Sequence, residues 1–308
     1  MIRYDLCLAW NWEYDVDFVG LMAEACRRRR LFLLSVAPGS VEAVERSLRG
    51  GELGIRSLFD RASESDPRFR RLVDWALSHG VGMINPLDRA IKAMNKACMH
   101  LEFISSGIHT PHTIILPPWR EQPDLGPIDL APLGGGFIIK PAHGGGGEGV
   151  VRKASSQAQV IASRREFPDD YYLLQAHIEP AELDGRPAWF RVIYCGGLIF
   201  PCWWDPKTHL YVPVKEEEIA ANGLEQLRPT TSRIAALCGL DVFSTEIALI
   251  PAGILVAVDY VNHPIDLRLQ SVAPDGVPDE FVAQIAGRIA DLAQARLLHG
   301  GPAASAPV

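Results

Sequence analysis

The stretch Gly136 to Val151, GFIIKPAHGGGGEGVV, limits the possible folds of this chain more than any other. An apolar run, Phe137 to Ile139, delivers Lys140, and Pro141 stops the strand ladder. Four consecutive glycines, Gly144 to Gly147, precede Glu148, Gly149 and a return to β-branched residues. Glycines remove Cβ atoms and permit positive φ, so successive backbone N–H groups can converge on an anion such as a phosphate. Lys140 adds a point charge at the same place. A Walker loop is excluded, because it needs Gly-Lys-Ser/Thr opening a helix, and Arg152-Lys153-Ala154 stand here instead. Gly144, Gly146 and Gly149 fit G-x-G-x-x-G, yet Val150-Val151 read as strand where a dinucleotide fingerprint must open a helix. What remains is strand, glycine turn, strand: a hairpin able to lie over phosphates. The competing reading is a glycine-rich surface loop without a ligand.

The chain of 308 residues is long enough for two or three packed units, with a hydrophobic share of 48% that is ordinary for a globular protein. A formal charge of −7 argues against nucleic acid or anionic membrane as a partner, and the run Arg27 to Arg30 reads as the solvated end of a helix. No apolar stretch reaches the ~20 residues that span a bilayer. The start MIRYDLCLAW carries early charges and no signal-peptide core, so a cytoplasmic protein is expected. Six cysteines without any C-x-x-C suggest buried, reduced thiols rather than disulfides or zinc.

Along the first hundred residues, short apolar runs (Leu6 to Trp10, Leu31 to Val36, Val81 to Ile84) alternate with helical periodicity near 15–29, 40–49 and 67–79. This alternation predicts a parallel sheet with helices on its faces. The loop Trp10 to Asp15 follows the first strand, where open α/β sheets bind ligands, and is a candidate substrate wall or folded-back packing. One long helix is predicted from Asn85 and Pro86 to Gly107, with Leu87, Ile91, Met94, Cys98 and Leu101 as its apolar stripe and Lys92 and Lys96 sharing a face. Residues His112 to Leu116 read as strand, 117–135 as a flexible connection, 155–165 as a short helix and Tyr171 to Ile178 as strand. Gly196-Gly197 joins two strands as a hairpin, and another hairpin spans 243–261. An amphipathic helix over 279–298, with Phe281, Ile285, Ile289 and Leu292 on one face, precedes a frayed tail from His299.

The final hairpin, FSTEIALIPAGILVAVDYVN, carries two acids. A two-residue turn at Pro251-Ala252 would pair Ile250 with Gly253 and place Glu246 and Asp259 on one face as diagonal neighbours, whereas a three-residue turn would separate them. Both faces are apolar enough to be buried, and two buried acids cannot both stay ionised without compensation. A divalent cation shared with substrate phosphates supplies it economically; arginines such as Arg191 or Arg268 are the alternative.

Together these features resemble the ATP-grasp superfamily of ATP-dependent ligases, in particular the RimK and glutathione synthetase-like carboxylate–amine ligases. The resemblance implies an α/β architecture with three units. These are a parallel α/β domain (1–108), a lid with the glycine-rich loop (109–178) and an antiparallel-sheet domain with the metal site (179–308). It implies that ATP is bound by Lys96, Lys140, the loop Gly144, Gly145, Gly146, Gly147 and Gly149, and the hinge Gln175, Ala176, His177 and Ile178. Glu246, Asp259 and Asn262 would hold two Mg²⁺ ions, with Mn²⁺ as an alternative. The family usually spaces its last two ligands E-x-N, so Asp259-Tyr260-Val261-Asn262 requires a bulge or a strand end. Glu148 must point away from a bound phosphate.

The implied chemistry is attack of a substrate carboxylate on the γ-phosphorus, then displacement of phosphate by an amine. Lys140 and Arg191 would stabilise the transferred phosphoryl group, and Arg268 would bind the substrate carboxylate. Small-molecule acids and amines are the expected partners. Trp10, Trp12, Trp203 and Trp204 hint at an aromatic-walled pocket. A homodimer is an expected state, as dimers are common for this architecture. The alternatives are a kinase of a small polyhydroxylated substrate, a non-catalytic ATP-binding protein, and an unrelated α/β protein.

Overall fold

The computed structural model describes residues 1–299. Strands β1 (Ile2–Trp10), β2 (Leu33–Val36), β3 (Leu53–Arg61) and β4 (Gly82–Ile84) form a parallel sheet in the order β2-β1-β3-β4, with helices α1 (Val16–Arg28), α2 (Val41–Arg49) and α3 (Arg70–Ser78) as crossovers. The predicted alternation is thus present. Strand β3, central in this sheet, was not expected from the sequence, because Arg56, Asp60 and Arg61 interrupt its apolar run.

The expected single helix over 85–107 is two helices, α4 (Leu87–Met94) and α5 (Lys96–Ser105). Asn95 leaves helical geometry (φ −78°, ψ 101°) and its side chain accepts from Cys98 N at 2.9 Å, capping α5. The break rotates the second helix, so the expected stripe does not hold: Ile91 and Leu101 are exposed, while Ala90, Ala93, Ala97, Met99 and Phe103 are buried. Lys92 and Lys96 part company for the same reason. Asn85 does not cap α4; its amide donates to Val242 O (2.6 Å) and accepts from Val242 N (2.8 Å), stapling the end of β4 to a distant strand.

Strands β5 (Thr113–Leu116), β6 (Phe137–Pro141), β7 (Val151–Ala154) and β8 (Tyr172–Gln175) form an antiparallel sheet in the order β5-β8-β6-β7, packed on helix α6 (Gln157–Glu166). β8 ends at Gln175, three residues short of the expected strand. The connection 117–135 is tied down: fully buried Arg164 donates to the carbonyls of Pro117, Pro118 and Gln122, and Gln157 donates to Gly126 O.

After a short ribbon, β9 (Glu182–Leu183) and β10 (Arg186–Pro187), come strands β11 (Trp189–Cys195), β12 (Leu198–Trp204) and β13 (Tyr211–Pro213). Helices α7 (Glu216–Asn222) and α8 (Leu227–Cys238) then lead to strands β14 (Val242–Leu249) and β15 (Leu255–Asn262). The five longer strands make an antiparallel sheet, β13-β12-β11-β14-β15. Gly196 and Gly197, both at positive φ, turn β11 into β12 as the sequence predicts. One sheet face packs on α7, α8 and α5. The other shares a core with the parallel sheet, in which Ile193, Cys202 and Trp204 meet Leu6, Leu8 and Phe18. The last helix, α9 (Asp279–His299), buries Ile285 and Ile289 in that core, while Phe281 and Leu292 are only partly buried. Of the expected tail, residues 300–308 lie outside the described residues.

Candidate functional site

The register of β14 and β15 departs from the expected hairpin in two compensating ways. The turn is a three-residue one, with Ile250 N donating to Ile254 O and Gly253 at φ +75°. Alone it would send Glu246 and Asp259 to opposite faces. The pairs Leu249–Leu255, Ala248–Val256 and Ile247–Ala257 follow from that turn, but Val258 bulges out and Glu246 pairs directly with Asp259. A second shift lies between Asp259 and Asn262, so that Asn262 pairs with Ser244, two residues from Glu246. Each extra residue in β15 reverses the pleat once. Glu246, Asp259 and Asn262 therefore share one face, and the wide Asp-Tyr-Val-Asn spacing is absorbed by the irregularity it required.

Across the next strand, Arg191 pairs with Glu246, its Nη1 3.2 Å from Oε1, its Nε donating to Ser244 Oγ at 3.2 Å, and its guanidinium 4.8 Å from the Trp204 ring centroid. Trp189 Nε1 donates to the other Glu246 oxygen at 3.1 Å. Arginine thus compensates Glu246, one of the alternatives the sequence left open. It does not reach Asp259 in the same way: the ion-pair partner there is Lys140, with Nζ 3.9 Å from Oδ1. Trp189 and Ser244 were missed by sequence reading, although each stands two residues from Arg191 or Glu246 and so on the same side of its strand.

Lys140 is the last residue but one of β6, whose ladder runs on through Pro141 paired with Tyr172 rather than stopping there; it is buried, its Nζ also 3.3 Å from Val258 O and 5.3 Å from the Tyr260 ring centroid. Beside it lies the glycine hairpin between β6 and β7. Gly144, Gly146, Gly147 and Gly149 have positive φ, Gly145 does not, and Glu148 is exposed. Lys96, at the first turn of α5, donates from Nζ to Gly144 O at 2.5 Å and from its backbone N to Ala142 O at 2.8 Å, so both lysines sit at the loop's base. His143, anchored by Asp170 through backbone N and Nδ1 (both 2.8 Å), fixes where the glycines begin. A Cβ at Gly149 would stand 2.6 Å from Phe167 Cε2 at φ +68°, whereas one at Gly145 would meet nothing within 4 Å. Gly149→Ala is therefore expected to cost about 1–3 kcal/mol and Gly145→Ala about 0.5 kcal/mol or less, checked by thermal unfolding of both variants.

Two candidates are placed differently from the expectation. Gln175 does not present its amide to an open site: it is buried and donates to Tyr260 OH (2.6 Å) and Thr113 Oγ1 (3.1 Å). Ala176 N is bonded to His112 O at 2.9 Å, and exposed His177 pairs with Glu179. Arg268 is already engaged by Asp266 through two nitrogens and by Asp275 at 2.9 Å, with Trp12 5.4 Å from its guanidinium carbon. Both aspartates hold its pKa well above the usual arginine value, so its charge is largely answered within the chain. The Trp10–Asp15 loop divides between the two readings left open for it. Asp15 is buried against Arg61 and Trp10 donates to Ser35 Oγ, while Trp12 and Tyr14 are exposed.

Burial pushes the Glu246 carboxyl above its usual range, with the Asp259 charge acting the same way against Arg191. Burial also opposes ionisation of Asp259, but Lys140, Lys96 and Arg191 outweigh it and its pKa is lowered. Burial depresses the Lys140 ammonium, opposed by Asp259 and reinforced by Lys96. The donor set is two carboxylates and a carboxamide, all oxygen, which suits Mg²⁺ rather than zinc. Three cations, Lys96, Lys140 and Arg191, surround two acids, leaving a small positive excess suited to a polyphosphate.

Behind the site, burial and the charge of Lys140 push the His100 imidazole down to about 4, and burial does the same for His263. Both stay neutral in the folded chain yet take protons near pH 6.5 when unfolded. Their contribution to stability is complete above pH 6.5 and is lost as pH falls toward 4. The melting temperature is expected to fall across that window, with a shallower fall in His100→Gln.

No protein-family model matches the chain, and no curated protein sequence does. Solved structures do. The D-alanine–D-alanine ligase of Bacillus anthracis complexed with ATP superposes with a TM-score of 0.66 at 13% identity, over 97% of this chain and 100% of that one. The RimK domain ATP-grasp protein of Sphaerobacter thermophilus gives 0.62 at 17% identity, over 95% and 99%. The ATP-grasp ligase PsnB, complexed with minimal precursor, Mg and ADP, gives 0.58 at 14% identity, over 96% and 99%.

Proposed function

We propose that this chain, whose fold is the ATP-grasp fold of those three structures, is an ADP-forming ligase that activates a substrate carboxylate as an acyl phosphate and joins it to an amine. The observation that carries this reading is the meeting of Glu246, Asp259 and Asn262 on one face with Lys140 and Arg191, beside a glycine hairpin held by Lys96. Residues 1–108, 109–178 and 179–308 are read as N-terminal, lid and metal-site units, with both lysines at the boundary between them.

Mg²⁺, held by Glu246, Asp259 and Asn262, would neutralise phosphate charge and polarise the γ-phosphoryl group. Lys140, buried and aimed between Val258 O and Asp259, would bring positive charge to a water-poor place, where it is worth most, with Asp259 supporting the ammonium against the burial that depresses it. Arg191 is held rigid by Ser244, Glu246 and the Trp204 ring, so it needs no reorganisation to meet a transferring phosphoryl group. The glycine backbone can close over phosphates without side-chain clash. Arg268, with its charge answered by two aspartates, orients the Trp12 wall rather than receiving a carboxylate alone.

The test is ATP turnover with Mg²⁺ against pools of amino acids and small carboxylates, with ADP, AMP and free phosphate measured separately. Equal ADP and phosphate that depend on two added substrates support the ligase. ADP without free phosphate would establish a kinase, a reading with no support among the structures named, and AMP would exclude the acyl-phosphate route.

A further inference from the structure

Four buried or half-buried side chains from four elements form one directional hydrogen-bond chain behind the site. Thr113 Oγ1 in β5 donates to Pro111 O at 2.8 Å and accepts from Gln175 Nε2 of β8 at 3.1 Å. Gln175 uses its second N–H on Tyr260 OH of β15 at 2.6 Å, and the Tyr260 hydroxyl then donates to His100 Nδ1 of α5, also at 2.6 Å. Each link of the chain is satisfied when His100 is neutral, the form its burial favours, with its proton on Nε2 so that Nδ1 accepts. Tyr260 is fully buried, its ring edge-on to Phe103 at 5.1 Å and beneath the Lys140 ammonium. A phenylalanine would fill the same space, so the hydroxyl serves the chain of bonds rather than the packing.

The position of Tyr260 gives these bonds a consequence. It lies in the irregular segment between Asp259 and Asn262, where the extra residue leaves β15 without ladder pairing to set its register. Its partner Gln175 shares a face of the lid sheet with Lys140, since Ile138 pairs with Gln175 and Lys140 with Leu173.

We propose that Tyr260 is a positioning residue, whose hydroxyl pegs the irregular part of β15 to β8 and so sets Asp259 and Asn262 against Lys140. This rests on the ATP reading above. Wild type, Tyr260→Phe, Gln175→Met and the double variant are titrated calorimetrically with a non-hydrolysable ATP analogue in the presence of Mg²⁺, and their melting temperatures are measured. Each single variant is expected to weaken binding about tenfold, and the double variant to be no weaker than the worse single, because both lose the same bond. Binding by Tyr260→Phe and Gln175→Met at wild-type affinity, with only the melting temperature lowered, would reduce the chain to a structural role and overturn the inference. Additive losses would overturn the coupling through one bond. A wild type that binds no analogue would overturn the ATP reading and this inference with it, an outcome distinct from either.

Discussion

Asp259→Asn is expected to lower Mg²⁺-dependent ATP turnover by about a thousandfold while leaving the fold in place. The substitution keeps the volume and the backbone contact from Thr245 Oγ1 to Asp259 O (3.1 Å), so the irregular strand has no steric reason to move. What is lost is the charge opposite Lys140, in a pair whose other member, Glu246, is already compensated by Arg191 and Trp189. A carboxamide binds Mg²⁺ far less strongly than a carboxylate, and Lys140, deprived of its partner while buried, is driven further toward the neutral form. Both changes weaken the hold on phosphates. The check is the rate of ADP formation at saturating and limiting ATP, with a melting temperature within a few degrees of wild type.

The second large effect is on stability. Arg61 and Asp15 form a two-point ion pair (Nη2–Oδ1 2.7 Å, Nε–Oδ2 3.1 Å), both side chains almost wholly buried, and Arg61 Nη1 also donates to Ile265 O at 3.0 Å. Asp15→Ala would leave a buried guanidinium without its counter-charge, at a cost of about 3–5 kcal/mol. Chemical denaturation should show a much lower midpoint, and a hydrophobic replacement of both partners, Asp15→Leu with Arg61→Met, should recover most of the loss. Because Arg61 joins the end of β3 to the segment just beyond β15, the single variant should also lose activity in proportion to unfolding, not through a changed KM for ATP.

The sequence makes plain those features that repeat with a period. Parallel alternation in the first hundred residues, the glycine hairpin and the Gly196-Gly197 turn are present as predicted. Features that break a period are hidden. The two extra residues in β15 each reverse the pleat; the wide Asp259-to-Asn262 spacing marks the second, but nothing in the sequence marks the bulge at Val258, and the acids came together although the expected turn was wrong. Asn95 interrupts a convincing 3.6-residue pattern, and only its suitability as a helix cap marks the break. Helices α7 and α8 went unread, although Gly223 and Gly239 end them in the left-handed conformation that glycine favours. The inward turn of the Gln175 amide was not legible, because its partners, Thr113 and Tyr260, lie far away in sequence.

The measurement closest to the central claim is the anomalous scattering of Mn²⁺ in crystals grown with a non-hydrolysable ATP analogue. The account predicts at least one peak about 2.2 Å from oxygens of Glu246 and Asp259, with the analogue's phosphates completing the shell and the glycine hairpin closed over them. Nucleotide density elsewhere in the molecule, or analogue bound here with no metal against either carboxylate, would contradict it.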